Sequence, residues 1–215
     1  ILAVLALAVL AFPLAVHADI IYTNADSFVE SNHPDATHGS DTQLCLVSVD
    51  NGAIEAHTYL NFDVTNAVPA GYVFQSATLW LSITALSRAS GVEAYRASGP
   101  WDEATLTWSN RPGYEPAGLD SKVVTFQDYF ALWKSWDVSA GWPGTGDFGL
   151  VMVMSPMPNL AMSFASRELT APPRTPYLDV QYTKDTSVPE PGTLGLLAAL
   201  AIPGLIWRRR ARQAS

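Results

Sequence analysis

Trp80, Tyr59 and Asn61 are the residues of this sequence whose types and positions best suit the recognition of a sugar. An aromatic ring offers a flat apolar surface for the apolar face of a pyranose, and an amide can bond the sugar hydroxyls. Trp80 lies on the polar side of an alternating segment at 77–85, and Tyr59 and Asn61 lie on the outward side of another at 57–64. We expect the three side chains to share one sheet face. The alternative is that a loop covers this face and that Trp80 belongs to the core.

Four acidic residues near the N-terminus, Asp26, Glu30, Asp35 and Asp41, could provide oxygen ligands for a structural calcium ion. Their spacing differs from that of an EF-hand loop, so the pattern does not define a ligand set. The alternative is an acidic surface in contact with solvent. The sequence therefore allows calcium as a cofactor without requiring it.

The sequence contains none of the common catalytic motifs. It has no His-Glu-x-x-His zinc motif, no Gly-x-Ser-x-Gly nucleophile turn and no glycine-rich phosphate loop. Asp102 and Glu103 are adjacent in the chain, whereas the two carboxylates of a glycosidase face each other across a cleft. His57 and Tyr59 share a strand face, which leaves a polysaccharide lyase as the enzymatic alternative. We predict a protein without catalytic activity.

Aromatic and charged residues are concentrated between positions 101 and 112. We expect Trp101 and Trp108 to close one end of the fold, and Arg111 to pair with Asp102 or Glu103. The alternative for this segment is a ligand site.

Two further features indicate structural roles. Cys45 is the single cysteine and lies in an apolar, strand-like run, which favours a buried small side chain over a reactive thiol. Arg167 and Glu168 are adjacent charged residues that we expect to form an ion pair.

The elements that must position these side chains are short strands separated by turns rich in Gly, Pro, Asn and Ser. We predict strands at 20–23, 44–49, 57–64, 74–86, 92–97, 123–126, 132–137, 148–154, 161–165 and 177–182. No long helical periodicity occurs before the C-terminal tail. The pattern predicts an all-β fold, an antiparallel β-sandwich of jelly-roll type.

Alternation assigns faces to three of the predicted strands. Leu60, Phe62 and Val64 should face the core. The odd-numbered residues from 77 to 85 should also share the core face. The segment 148–154 is apolar on both faces, which predicts a covered central strand.

The charge of the central region limits its partners. Residues 19–187 contain eight Lys and Arg against nineteen Asp and Glu, so the formal charge is 8 − 19 = −11. Such a surface repels nucleic acid and anionic lipid. It suits calcium, neutral glycans or cationic partners.

The N-terminal end is typical of a secretory signal peptide. An apolar run extends to Val16, Pro13 interrupts it, and Val16, His17 and Ala18 supply a cleavage site after Ala18. We expect the basic start of the signal peptide to precede Ile1. The alternative is an N-terminal membrane anchor, for which the run is short because a span needs roughly 20 apolar residues.

The C-terminal end contains a second apolar segment followed by an arginine cluster at 208–212. We predict a transmembrane helix at 193–207, with the arginines on the cytoplasmic side and the central region outside. This helix would be about 22 Å long against a hydrocarbon core of about 30 Å. Such a short span favours a removable signal over a permanent anchor.

The tail at 188–215 resembles the PEP-CTERM sorting signal. Pro189, Glu190 and Pro191, the apolar segment and the arginine cluster follow in the order of that signal. The resemblance implies recognition and processing by exosortase, in a Gram-negative bacterium that makes extracellular polysaccharide. It makes the three residues a processing motif with no catalytic role.

The central region resembles the DNRLRE domain, which is related to family-96 carbohydrate-binding modules. The matching stretches are YLNFDV at 59–64, QSATL at 75–79, WDE at 101–103, TWSNRP at 107–112, FASRE at 164–168 and PYLDV at 176–180. The resemblance implies a β-sandwich that binds polysaccharide. Several relatives favour acidic polysaccharides, which the charge of −11 opposes unless a cation bridges the two.

The predicted organisation is therefore a signal peptide at 1–18, one domain at 19–187 and a sorting tail at 188–215. The first functional hypothesis is an exported, non-catalytic polysaccharide-binding protein of the cell surface or biofilm matrix. Its expected partners are extracellular polysaccharide, the export machinery, exosortase and, through the tail, the membrane. The second hypothesis is a structural matrix protein that self-associates without a glycan.

Overall fold

A computed structural model of the 215-residue chain describes residues 15–50, 52–155, 160–170 and 174–186. The sorting motif predicted at Pro189, Glu190 and Pro191 and the transmembrane helix predicted at 193–207 lie outside these residues, as does most of the predicted signal peptide. Within the described part, no helix is long and apolar enough to cross a membrane.

The described residues form an all-β fold in which every strand pair is antiparallel, as the sequence predicts. The strands are β1 (Val16–Tyr22), β2 (Ala25–Glu30), β3 (Gln43–Val49), β4 (Ile54–Asp63), β5 (Tyr72–Leu86), β6 (Ser90–Arg96), β7 (Asp120–Val124), β8 (Trp133–Asp137), β9 (Asp147–Met154), β10 (Leu160–Ala165) and β11 (Tyr177–Lys184). One short helix, α1 (Phe126–Ala131), and a 3₁₀ turn at Ser139–Gly141 complete the regular structure of the described chain.

The strands form one curled sheet whose two layers face each other. The hydrogen-bonded order is β1-β11-β5-β10-β3-β4-β9-β6-β7, with β2 paired to β4 and β8 paired to β5. Strand β5 is 15 residues long and connects the layers, because its first part pairs with β11 and β8 and its end pairs with β10. We call β1, β11, β5 and β8 the platform layer. The finer jelly-roll classification stays a prediction.

The main core lies between the two layers. Leu60, Phe62 and Val64 of the β4 segment are fully buried there, which confirms the predicted face. From the platform layer, Trp136 enters the same core and is one of its largest buried side chains. Its indole Nε1 donates a hydrogen bond of 3.1 Å to the carbonyl oxygen of Val92, so the polar end of the ring is satisfied.

Strand β5 departs from strict alternation near its end. Leu79, Leu81 and Ile83 are buried as predicted, but Ala85 is exposed, so its assignment to the core was wrong. Thr84 is an extra residue of β5 in the pairing with β10, because Ile83 and Ala85 pair with consecutive residues of β10. This bulge reverses the faces, so that Leu86 packs on the core in place of Ala85.

Strand β9 is covered on both sides, as its continuous apolar sequence predicts. It lies between β4 and β6, and Leu150 and Met152 face the main core. Val151 faces the opposite side, where it joins a second apolar cluster with Tyr59 and Leu106. The loop between β6 and β7 therefore covers the outer face of this layer.

Three local elements differ from the prediction. Strand β2 was not predicted, and β1 begins at Val16 rather than at residue 20, so the predicted cleavage after Ala18 lies within it. The predicted strand at 123–126 ends at Val124, and α1 follows. Thr125 starts α1 because its hydroxyl and the Asp128 carboxylate cap each other's backbone N–H groups.

Candidate functional site

Trp80 lies on the outer face of β5, half-buried, on the side opposite the core residue Leu79. Its register partner on β11 is Tyr177. The planes of the two rings are nearly parallel, with centroids 6.2 Å apart and an interplanar angle of 12°. Cross-strand pairing thus places two aromatic rings next to each other on the sheet surface.

Two more aromatic rings extend this surface. Tyr22 of β1 pairs with Tyr177 in register, with ring centroids 6.2 Å apart and ring planes inclined at 63°. The ring of Trp133 in β8 also contacts Tyr177, with centroids 5.4 Å apart and ring planes inclined at 61°. We call Tyr22, Trp80, Trp133 and Tyr177 the aromatic platform; one ring comes from each of the four strands of the platform layer.

The platform is open to solvent at its Tyr22 end. Tyr22 is 62% exposed, which leaves its ring available to a ligand. A cavity of about 410 Å³ opens there and is lined by Tyr22, Trp133, Arg174, Thr175 and Tyr177. Most of its lining is aromatic, with one guanidinium and one hydroxyl group at the margin.

A row of polar residues lies beside the aromatic rings. Asp179, Thr78 and Asp137 are register partners across β11, β5 and β8, two positions from the aromatic row and therefore on the same face. Hydrogen bonds from Ser139 hold the pKa of Asp137 below its usual range, so this carboxylate remains a hydrogen-bond acceptor at neutral pH.

Burial chiefly raises the pKa of Tyr177, with smaller contributions from Asp179 and Tyr22. The phenol therefore stays protonated and can donate a hydrogen bond. Rings for stacking and polar groups for hydroxyls occur together on this face.

Tyr59 does not belong to the platform. It is fully buried on β4 under the β6–β7 loop, and its hydroxyl donates to the carbonyl oxygen of Pro112 at 2.7 Å. Burial raises the pKa of Tyr59 to about 12. The structure therefore separates Tyr59 from Trp80, and the expected shared face is corrected. The prediction that Tyr59 points away from the main core is confirmed, but a loop closes that side.

Asn61 lines a second cavity, of about 320 Å³, on the same side of β4. Its Nδ2 donates to the side chains of Asn24, at 3.2 Å, and Asp147, at 3.1 Å. Trp101 also lines this cavity. We call it the loop cleft. Asn61 and Trp80 lie in different layers, so the structure does not bring the three predicted residues together.

The two tryptophans of the loop at 97–119 have the packing role that the sequence predicts, but they cover a different part of the fold. Trp101 and Trp108 pack on the second apolar cluster and cover the face of a layer rather than one end of the fold. The predicted pairing of Arg111 with Asp102 or Glu103 is wrong. The Arg111 guanidinium lies 3.5 Å from the centre of the Trp108 ring, a cation–π contact.

The carboxylates of this loop have other partners. Arg167 binds Glu103 at 2.5 Å and Glu168 at 2.9 Å, which confirms the predicted Arg167–Glu168 pair. Asp102 accepts a hydrogen bond from the Thr105 hydroxyl at 3.1 Å.

The four acidic residues that could have provided calcium ligands do not form a shared site among the described residues. Glu30 pairs with His33 at 2.8 Å and Asp41 pairs with His38 at 2.8 Å. Asp35 accepts a hydrogen bond from Ser109 at 2.9 Å. Histidine and serine partners thus occupy three of the four carboxylates, which the sequence pattern had not defined as a ligand set.

Cys45 is half-buried with its Sγ 3.6 Å from the Ser163 hydroxyl, and burial raises the pKa of its thiol. A raised pKa keeps the sulfur protonated and unreactive. This environment fits the predicted packing role.

His57 makes stability dependent on pH. Burial, with the charge of Arg111, lowers its pKa to about 4 from an ordinary 6.5, and its ring packs 5.1 Å from Trp108. Between these values the unfolded chain binds the proton and the folded chain does not, so the free energy of unfolding should fall as pH drops from about 6.5 to about 4. The expected loss is at most about 3 kcal/mol.

Urea unfolding of the wild type and His57→Gln at pH 7 and pH 4.5 measures this effect. The stability difference between the two proteins should change between the two pH values, because only the wild type carries the imidazole. If the difference in free energy of unfolding between the two proteins did not depend on pH, His57 would have the same pKa in the folded and the unfolded chain.

Tyr22, Trp133 and Tyr177 were missed from the sequence. Trp133 and Trp136 lie in one short strand, and only the odd spacing between them shows that one must face outward when the other is buried. Tyr177 follows Pro176 at a strand start, where alternation has no preceding residue to fix the face. The pairing of these strands is not encoded locally.

Three comparisons relate the chain to known proteins. The family model described as carbohydrate-binding module family 96 matches residues 18–182. No curated protein matches the chain. Among solved structures, a chain of the mud crab tombus-like virus, determined by cryo-electron microscopy, is 12% identical over 86% of this chain and 87% of that chain, with a TM-score of 0.30. That similarity is too low to support an argument.

Proposed function

Because the chain belongs to carbohydrate-binding module family 96, we propose that it is a non-catalytic module that holds a polysaccharide on its aromatic platform. The observation that carries this proposal is the row of rings formed by Tyr22, Tyr177 and Trp80, spaced 6.2 Å apart across three strands. A row of rings beside a row of polar side chains matches a chain of sugars, which repeats an apolar face and hydroxyl groups.

The loop cleft is a weaker candidate for this ligand. Its polar groups already bond one another, since Asn61 donates to Asp147 and Arg96 lies 3.7 Å from Glu115. The indole Nε1 of Trp101, which lines the cleft, is buried and has no hydrogen-bond partner among the described residues. The platform offers open rings, whereas Asn61, Asp147, Arg96 and Glu115 of the cleft are already paired.

The charges near the platform favour a neutral polysaccharide. Asp179 and Asp137 flank the rings, and residues 19–187 have a formal charge of −11. Among the described residues, Arg174 is the one basic side chain that lines the platform cavity. A uronic-acid polymer would meet net repulsion unless a cation bridged it.

We further propose that the protein is exported and sorted. The apolar N-terminal run supports cleavage of a signal peptide, and the order of Pro189, Glu190 and Pro191, the apolar segment and the arginine cluster supports PEP-CTERM processing by exosortase. The stretches that resemble the DNRLRE domain support the assignment of the central region as a polysaccharide-binding domain. The protein would then hold polysaccharide at the cell surface or in the matrix of a Gram-negative bacterium.

A binding assay with a panel of polysaccharides tests the proposal. The purified protein is incubated with insoluble neutral glucans and mannans, and with alginate as the polyanionic comparison, and the retained fraction is measured. Retention on at least one neutral polymer, with less on alginate in the absence of calcium, is expected. Retention on none of the polymers would remove the support for this function.

A specific surface supports the second candidate, self-association. Val123 at the sheet-edge strand β7 and Phe126, Phe130 and Leu132 in and after α1 are exposed apolar side chains. An exposed edge strand with apolar neighbours can pair with another chain. Sedimentation velocity without glycan distinguishes the candidates, because assembly that increases with protein concentration and is lost in Val123→Lys would favour the structural role.

A further inference from the structure

Three carboxylates from distant parts of the chain converge beside β2. They belong to Asp26 in β2, Glu103 in the β6–β7 loop and Glu168 after β10. One oxygen from each lies within 4.8 Å of the others. This set shares only Asp26 with the four residues that the sequence suggested.

Asp26 provides an observation that does not depend on the clustering. The residue is 1% exposed, and its second carboxylate oxygen, Oδ2, accepts the backbone N–H of Arg167 at 2.9 Å. Its Oδ1 is buried and accepts no hydrogen bond from the described residues. The nearby Ser166 hydroxyl donates its proton to Glu168. A buried carboxylate oxygen without a donor is costly unless a cation or a proton meets it.

The charge of the cluster is only partly balanced. The Arg167 guanidinium binds Glu103 through Nη2 and Glu168 through Nε, at 2.5 and 2.9 Å. One positive charge among three carboxylates leaves −2 when all are ionised. Asp26 accepts the neutral backbone N–H of Arg167 at its Oδ2, so the missing positive charge would lie nearest to its Oδ1.

We propose that Asp26, Glu103 and Glu168 bind one calcium ion. Calcium–oxygen distances of about 2.3–2.6 Å allow ligand atoms on opposite sides of the ion to lie up to roughly 5 Å apart. The observed limit of 4.8 Å fits this geometry. Magnesium needs shorter distances of about 2.1 Å, and the all-oxygen donor set disfavours zinc and copper.

The site has an entrance and a physical reason to fill. A cavity of about 270 Å³ reaches Glu103 and is lined by Thr37, Gly39, Ser40 and Ala104 as well. A cation bound among the three carboxylates would meet the buried Oδ1 of Asp26 and connect β2 to the two loops.

Calcium binding to the full-length protein, stripped with EDTA and dialysed, tests the proposal. Equilibrium dialysis against calcium chloride should give one ion per chain. The melting temperature should rise by roughly 5–10 °C when calcium is about 100-fold above its dissociation constant. Magnesium at the same concentration should give a smaller rise.

Two substitutions and a matched control locate the ion. Asp26→Asn keeps the shape of the side chain and should abolish stoichiometric binding and the thermal shift. Glu168→Gln should weaken binding at least tenfold and serves if Asp26→Asn fails to fold. Asp41→Asn removes an exposed carboxylate of the same N-terminal region and should bind calcium as the wild type does.

Three outcomes would overturn the proposal. One is the absence of stoichiometric calcium binding to the wild type. Another is equal weakening by Asp26→Asn and Asp41→Asn, which would indicate diffuse attraction to an acidic surface. The third is a metal-free Asp26→Asn protein that is more stable than the wild type while calcium has no effect, which would show that Asp26 and Glu168 share a proton instead.

Discussion

Replacing Trp80 by alanine should lower the affinity for the retained polysaccharide by roughly 30-fold, which corresponds to about 2 kcal/mol. The residue ends the row of rings, with its ring centroid 6.2 Å from that of Tyr177, so its loss shortens the surface available for stacking. The cost to folding should be about 1 kcal/mol, since the ring is half-buried on the outer face and leaves no closed cavity. Isothermal titration calorimetry measures affinity, and thermal unfolding measures stability.

Phe130→Ala is the matched control for this prediction. Phe130 is an aromatic residue of α1 that is 79% exposed and lies outside the platform. Its substitution removes a similar apolar surface and should leave polysaccharide affinity unchanged. Equal losses in Trp80→Ala and Phe130→Ala would indicate nonspecific apolar binding. A collapse of stability in Trp80→Ala would instead make Trp80 a packing residue.

Replacing Trp136 by alanine should destabilise the protein by about 3–5 kcal/mol, the range expected for removing a fully buried large aromatic residue. Trp136 is 0% exposed, and its ring is nearly perpendicular to that of Phe164, with ring centroids 5.9 Å apart. The substitution also leaves the carbonyl oxygen of Val92 without its indole donor. Urea unfolding measured by circular dichroism gives the free energy, and the slope with denaturant should stay unchanged.

Trp133→Ala is the control within the same strand. Trp133 is half-buried on the outer face of β8, three residues from Trp136. Its substitution should cost less than about 1.5 kcal/mol but should weaken polysaccharide binding. Trp136→Ala should lose more stability than Trp133→Ala. At a temperature where it remains folded, it should keep its affinity for the polysaccharide. Equal destabilisation by the two substitutions would contradict the assignment of faces in the platform layer.

The strand order of the molecule could not be predicted from the sequence, but much of the strand pattern could. Alternation placed Leu60 and Phe62 in the core and Trp80 outside, because one buried face imposes a period of two. The same rule failed at Ala85, where a bulge reversed the faces. A bulge depends on the partner strand, and a single strand carries no signal for it.

The site required long-range information that local pattern does not hold. The platform brings together residues as distant in the chain as Tyr22 and Tyr177, through the pairing of β1 with β11. The face of Tyr59 on its strand was predicted correctly, but its exposure to solvent was not, because a loop folds over it. Alternation distinguishes the core side of a strand from the other side, but it does not distinguish a surface exposed to solvent from one under a loop.

Charged residues were paired correctly only where the partner was adjacent. Arg167 and Glu168 were predicted together, while the bond from Arg167 to Glu103 spans 64 positions and was missed. The acidic residues near the N-terminus were grouped by proximity in the chain, but Asp26 belongs to a different cluster in space. Sequence proximity is a poor guide to ion pairing in a sheet built from long-range contacts.

The platform itself can be tested by observing the indole N–H signals of the tryptophans in a two-dimensional NMR spectrum during titration with an oligosaccharide of the retained polymer. The signals of Trp80 and Trp133 should shift together and saturate, because both indoles belong to the binding face. The signals of Trp101 in the loop cleft and of Trp136 in the core should not move. Shifts at Trp101 with no change at Trp80 would place the ligand in the loop cleft and refute binding on the aromatic platform.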